Sequence, residues 1–229
     1  MSTPDSPGAA APKKRSSVFQ WMLTAILVGL VGLFAVPLMT DIGSSGLTRD
    51  QIMKMRSKDG PPQWPGFDFS GSDLSEMDLS GANLKGAVLR RCNLKSTNLA
   101  AADLRGAVLD RANLTDADLR NADLSEASLE DAVLVRASAA GANFSKVQAS
   151  GAQFLGAQLR GCNFSEGIFE KTSFDKTDLT RTNFERANLR YARLVGAQIE
   201  GASMVGADTW FMKQTDPKAQ PEPEAEPSP

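Results

Sequence analysis

Residues 112–129 read "ANLTDADLRNADLSEASL", one short phrase said four times. Leucine stands at every fifth position, Leu114, Leu119, Leu124 and Leu129, and alanine stands two residues before each. A step of five advances about 140° around an α-helix, which would scatter the leucines over every face. On a straight strand, where side chains alternate, an odd step sends successive leucines to opposite sides. A chain that turns a corner in every repeat buries them all. Ala and Leu, two apart, then share the inward face of a very short strand, while the remaining residues face water or round the bend.

The register runs far beyond this stretch without a slip. Centres extend from Phe69 and Leu74 to Ile199 and Met204, twenty-eight in all, most of them Leu or Phe, with Ala139 and Ala149 the smallest. Two residues before each centre stands a small or apolar residue almost throughout, such as Ala82, Ala87, Cys92 and Ala102. A repeat this long decides the architecture before local propensity is considered.

The phrases "ADLRNADLSEASL" and "GANLKGAVL" resemble the pentapeptide-repeat proteins, over roughly residues 67–209. That resemblance implies an all-β solenoid, a right-handed quadrilateral β-helix with four pentapeptides per square coil. Twenty-eight centres then make about seven coils, and a strand spacing of about 4.8 Å makes a rod roughly 34 Å tall. The resemblance is specific for fold and says little of function, because one fold hosts unrelated tasks.

Four repeats per coil make residues n and n+20 neighbours in adjacent coils. Asn83, Asp103, Asp123, Asn143, Asn163 and Asn183 then form one outward column, an amide and carboxylate ladder of the kind that supports stacked strands. Glu126, Lys146, Glu166 and Arg186 form another, alternating in sign, and are expected to pair for about 0.2 to 1 kcal/mol each. Inside, Phe144, Phe164 and Phe184 should stack on one face and Phe154 over Phe174 on the opposite one, filling volume that Ala139 and Ala149 leave. Burying a leucine yields about 1.5 to 3 kcal/mol, while ordering each residue's backbone costs about 1 to 2. A single coil therefore does not stand alone, and the ends of the stack need caps.

Before the repeats, "LTRDQI" reads as a helix start: Thr48 as N-cap, Gln51 as its capping-box partner, Leu47 and Ile52 as a hydrophobic staple. The helix is expected to end near Lys58, Asp59 and Gly60, and "PPQWPGF" then breaks it and supplies Trp64 and Phe67 as a lid. At the far end "TWFM" offers Trp210 and Phe211 as the second lid. Residues 18–39, "VFQWMLTAILVGLVGLFAVPLM", carry no charge over 22 residues, about 33 Å of helix, enough to cross a bilayer core. An uncleaved anchor fits better than a signal peptide, since the apolar run is long and "PLMTDIG" lacks an A-x-A cleavage pattern. Lys13, Lys14 and Arg15 before the span and Asp41 after it place the repeat domain across the membrane, in a periplasm or lumen. The organisation expected is a disordered basic N-terminus (1–17), a transmembrane helix (18–39), a linker with a short capping helix (40–66), the β-helix (67–209), and a C-terminal cap with a disordered acidic, proline-rich tail (210–229).

Enzymatic chemistry finds little to work with. The chain has no histidine, the commonest general base and metal ligand. Cys92 and Cys162 fall on inward positions 70 residues apart, about 17 Å along the rod, too far for a disulfide and poorly placed for a nucleophile. No glycine-rich phosphate loop or metal-ligand cluster occurs, so no enzyme activity, metal or cofactor is expected.

The resemblance also raises a binding role, because some pentapeptide-repeat proteins resemble duplex DNA in size and charge and bind type II topoisomerases in its place. Such mimicry needs a strongly negative surface. Residues 67–209 hold 19 acids and 16 bases: 12 and 7 up to Asp131, then 7 and 9 beyond it. Lys171, Lys176, Arg181 and Arg186 share one corner position on four successive faces, a basic belt that would repel a DNA-binding saddle. The favoured expectation is therefore a membrane-tethered scaffold offering rigid faces to a protein partner, with no nucleic acid bound. Its candidate contacts are that belt and the outward apolar residues Val135, Leu155 and Val195. A purely structural envelope spacer is the third class.

Overall fold

The computed structural model describes residues 46–55 and 60–214, all within one compact unit, Thr40–Pro229. The expected anchor at 18–39 and the expected disordered segments at 1–17 and in the acidic tail lie outside the described residues. Among the described residues no helix is long and apolar enough to cross a membrane.

The repeats wind into a square β-helix. A parallel bridge links each residue just before a centre to its equivalent twenty residues on, from Gln63↔Asn83 to Arg193↔Lys213. The bridging residues stand at every fifth position from Gln63 to Lys213, thirty-one in all. At four to a coil that makes nearly eight coils, about 37 Å at the ordinary strand spacing. The stack thus extends one repeat earlier and nearly two repeats later than the leucine periodicity reaches.

Each pentapeptide spends its backbone groups in a fixed way. In the repeat centred on Leu119, the Leu119 N–H donates up to Ser138 O and the Asn121 N–H up to Ala140 O, while the Asp118 N–H donates down to Thr97 O. The Ala122 N–H closes the corner onto Leu119 O. The third corner residue takes φ near +60° while the second does not, the signature of a type II turn. Glycine suits that position, yet many others here are Arg, Lys, Glu, Asp, Ser or Asn; none is β-branched.

The shaft is filled by mostly apolar side chains, as expected. Leu114, Leu119, Leu124 and Leu129 are fully buried, as are Ala112, Ala117, Ala122 and Ala127. Phe144, Phe164 and Phe184 stack at 5.0 and 4.8 Å between centroids, and Phe154 stacks on Phe174 at 5.0 Å. Phe144 and Phe154 meet edge to face at 6.1 Å, and the buried Ala139 and Ala149 occupy the two faces of that coil between them. Two rings and two methyls thus fill one square layer.

The entry to the rod carries helix α1, Arg49–Met55. Its capping box is formed: the Thr48 N–H donates to Gln51 Oε1 at 2.8 Å and the Gln51 N–H to Thr48 Oγ1 at 3.4 Å. Leu47 and Ile52 are buried over the first coil, and the Leu47 N–H donates to Ser72 Oγ at 2.8 Å. The helix was expected to end near Lys58, Asp59 and Gly60; residues 56–59 lie outside the described residues. Trp64 is not a separate lid. It occupies the first inward centre of the stack itself, buried and edge-on to Phe69 at 5.2 Å.

The other end corrects the sequence reading. Trp210 and Phe211 do not cover the shaft; they are 60% and 59% exposed. The register explains why. Thr209 falls on the centre after Met204, so Trp210 and Phe211 are its two outward corner residues.

Candidate interaction surface

Asn and Asp before the centres do two jobs at once. The oxygen accepts the N–H two residues on, as in Asn143 Oδ1 from Ser145 at 3.1 Å and Asp118 Oδ1 from Arg120 at 3.1 Å, an Asx turn that ties the corner. At several of these positions an Asn amide also donates one coil back, as Asn143 to Asp123 at 3.0 Å and Asn163 to Asn143 at 3.3 Å. Of the expected ladder, the steps Asp123 to Asn143 and Asn143 to Asn163 are joined by side chains, and the turn closure beneath it is what the sequence reading missed.

Charged residues on the surface are mostly spent on their neighbours. Arg105 holds the Asp103 carboxyl below the usual carboxylate range, Arg120 does the same to Asp118, and Arg136, one coil on, to Asp116. Arg193 pairs with Asp175 at 2.7 Å and Arg111 with Asp131 at 3.4 Å. The expected alternation of Glu126, Lys146, Glu166 and Arg186 yields no ion pair within 4.0 Å among the described residues, although the same left-handed corner position pairs across one coil at Asp116 and Arg136 and at Arg111 and Asp131.

The basic belt is real in position and divided in direction. Lys171, Lys176, Arg181 and Arg186 occupy the four corners of one coil, each with φ between +56° and +59°. Lys171 pairs with Glu170 at 3.2 Å. The other three have no ion pair among the described residues, and the corners above them are bare glycine, Gly196, Gly201 and Gly206. Four corners of a square point four ways, so the belt offers one flat partner at most two neighbouring cations. Val135, Leu155 and Val195 do share a column, interrupted by Asp175; Leu155 is exposed and the two valines are half-buried.

Among the described residues the largest exposed apolar group lies elsewhere, at the last coil. Tyr191 stacks on Phe211 at 5.2 Å, Phe211 meets Trp210 at 4.9 Å, and the Arg190 guanidinium lies 4.8 Å over the Trp210 ring. Val205 is 72% exposed on the adjoining face. Carrying the register one step past Met204 would have predicted it. The polar Thr209 at that centre hid the step.

Small-molecule chemistry has little room. A shallow notch of about 290 Å³, lined by Glu130, Asp131, Ser150, Gly151, Glu170 and Lys171, opens where Gly151 leaves its corner bare. Among the described residues no group of His, Cys, Asp and Glu is arranged to hold a metal. Both cysteines are free and buried, each thiol donating to a carbonyl of the coil below, Cys92 to Phe69 and Cys162 to Ala139. Burial pushes both thiols up to about 12, which leaves neither a nucleophile at neutral pH.

Comparison with known proteins gives a family match in eight copies, described as Pentapeptide repeats, over residues 68–99, 92–131, 127–165 and 168–206. No match was found among curated proteins. Similar solved structures include HetL of the cyanobacterium Nostoc sp. strain PCC 7120, described as involved in heterocyst differentiation regulation. It is 25% identical with a TM-score of 0.37, over 71% of this chain and 94% of that one. QnrB1 in trypsin-treated form, described as a plasmid-mediated fluoroquinolone resistance protein, is 21% identical with a TM-score of 0.38, over 66% and 77%. A protein of the Arabidopsis thaliana thylakoid lumen is 26% identical with a TM-score of 0.34, over 56% and 75%.

Proposed function

The chain belongs to the pentapeptide-repeat family, whose fold is the right-handed quadrilateral β-helix, and from that premise we propose that it is a non-enzymatic scaffold, tethered to a membrane by residues 18–39. Its repeat domain stands on the far side of that membrane, in a periplasm or lumen, and offers rigid outer faces to a protein partner.

One observation carries the reading: the thiols and the Asx side chains of the repeats are committed to holding the coil. Both thiols are buried, and the Asx carboxylates and amides close their own turns. What is left for function is shape and surface. Such a surface binds by complementarity over a broad area rather than by a pocket. The tether rests on the 22 uncharged residues of 18–39 and the orientation on Lys13, Lys14 and Arg15 before them.

The test is capture of the intact protein from its own membranes after cross-linking, together with a topology reporter fused after residue 209. A specific envelope partner and an outside reporter signal are the expected results. A topoisomerase partner with an inside signal would instead favour DNA mimicry, against which the net charge of about −3 on residues 67–209 and the basic belt both argue. No reproducible partner would leave a structural spacer.

A further inference from the structure

One face of the rod carries cations that find no carboxylate among the described residues, and we infer that it seats the chain's own acidic segment, Glu222, Glu224 and Glu226. This goes beyond the scaffold reading and does not depend on the tether.

The face lies between the Lys176 corner and the Arg181 corner, with the bridged column Gln158, Asp178 and Gln198 running up its middle. Lower on the same face, arginines are spent on carboxylates: Arg136 on Asp116 in the Lys176 column, and Arg120 on Asp118 in the Arg160 column. Higher up they are not. Lys176, Arg181 and Arg160 are exposed, and none has an ion pair within 4.0 Å among the described residues. The acids nearby are engaged elsewhere, Asp175 with Arg193 at 2.7 Å and Asp178 with the Thr180 N–H at 3.0 Å, while Glu200, one coil above Thr180, makes no ion pair with Arg181. The two corner cations also stand on bare backbone. Gly196 and Gly201 lie above them, where a Cβ would sit 3.7 Å from Lys176 Cγ and 3.5 Å from Arg181 Cγ, and Gly156 and Gly161 lie below. Corners without side chains let an extended chain lie close along the face.

The sequence after the stack supplies that chain. Residues 215–229 carry Asp216, Glu222, Glu224 and Glu226 against Lys218 alone. Carboxylates two apart on an extended backbone share one side, about 6.6 Å from each other. Pro221 and Pro223 lack an N–H, so the segment meets the face through its side chains and not by adding a strand. The reach is sufficient. Lys213 bridges to Arg193 on the adjoining face, and Gln214 follows it above Leu194. The cations lie two coils lower, about 10 Å, and round one corner. The residues from Gln214 to Glu222 span up to about 26 Å. Exposed ion pairs are weak singly, and tethering compensates by holding the segment at an effective concentration on the order of millimolar. Docked there, it withholds the face from any other acidic chain.

Carbodiimide coupling of the full chain in detergent micelles tests this, because it joins a carboxylate directly to an amine in contact with it. Peptide mapping should find Glu222, Glu224 or Glu226 joined to Lys176 in preference to Lys171, which stands in the same coil on the other corner of the face that carries Gln214. The preference should hold when Glu170→Gln frees Lys171 from its partner. In a mixture of isotopically labelled and unlabelled chains the links should lie within one chain, and they should vanish at about 1 M salt. Arg160→Gln and Arg181→Gln should each lower the Lys176 coupling about two- to fivefold while leaving thermal unfolding in place. Equal coupling to Lys171 and Lys176 overturns the proposal, as does coupling indifferent to both arginine variants or no link to Lys176 at all. Links only between differently labelled chains overturn it too, by assigning the segment to a second copy.

Discussion

A single missing methyl shows how tightly the inner positions are specified. Gly167 stands where most repeats carry Ala, and a Cβ built on it would lie 2.5 Å from Phe169 Cε2 and 2.8 Å from Cζ. The ring has taken the space of the methyl. Gly167→Ala should therefore destabilise by about 1 to 3 kcal/mol in denaturant unfolding, and Phe169→Leu in the same chain should recover part of the loss. Carboxylates outside obey a different logic. The hydroxyl and N–H of Ser75 hold Asp73 below the usual range, and arginines hold Asp103, Asp116 and Asp118 there. A group whose folded pKa is depressed stabilises the fold above its unfolded value and loses that contribution as pH falls through the folded one. Thermal unfolding should accordingly shift down in temperature as pH drops below about 4. These groups reach solvent, so the shift should be small and should shrink in high salt.

At the scale of the element, the entry cap is the piece most open to attack. Gly46 has φ +72° and meets Gly71 and Ser72 backbone atoms within 2.6 Å of where a Cβ would sit, a clash no rotamer relieves. Gly46→Ala should lift α1 from the shaft, seen as faster exchange at the Trp64, Phe69 and Leu74 amides. Gly86→Ala, with φ +65° and nothing within 4 Å, should cost only about 1 to 2 kcal/mol and leave those amides protected. The contrast also shows why this end was legible in the sequence and the other was not. Thr48, Gln51, Leu47 and Ile52 form a capping box and staple whose spacing is local and diagnostic. Trp210 and Phe211 carry no such local signal. Whether they face in or out depends on a register carried across Thr209, and hydrophobicity alone pointed them inward, against the 60% and 59% exposure they show. The belt fared similarly: its corner positions followed from the period, while the divergence of four corners belongs to the closed square and to no single repeat.

For the repeat unit as a whole, the pattern of bonds is nearly one-dimensional. Each coil bonds only to the coils above and below, as when Leu124 donates up to Asn143 and Asp123 down to Ala102. Stability in such a stack is a sum of coil and neighbour contributions, so the cost of a lost side chain depends on where along the rod it is lost. Leu124 and Leu194 are both fully buried. Leu124→Ala, with three coils on one side and four on the other, opens a cavity the stack cannot escape, and should cost about 2 to 5 kcal/mol while raising exchange on both sides of it. Leu194→Ala sits one coil from the end of the described stack, where only Lys213 O receives its N–H. There the last coil should fray first, releasing amides beyond Leu189 and leaving those between Leu74 and Leu159 at their original protection. Hydrogen exchange on the two variants checks this directly. Equal loss of protection along the whole length in both would mean that the coils unfold as one unit, and that position along the rod does not govern the cost.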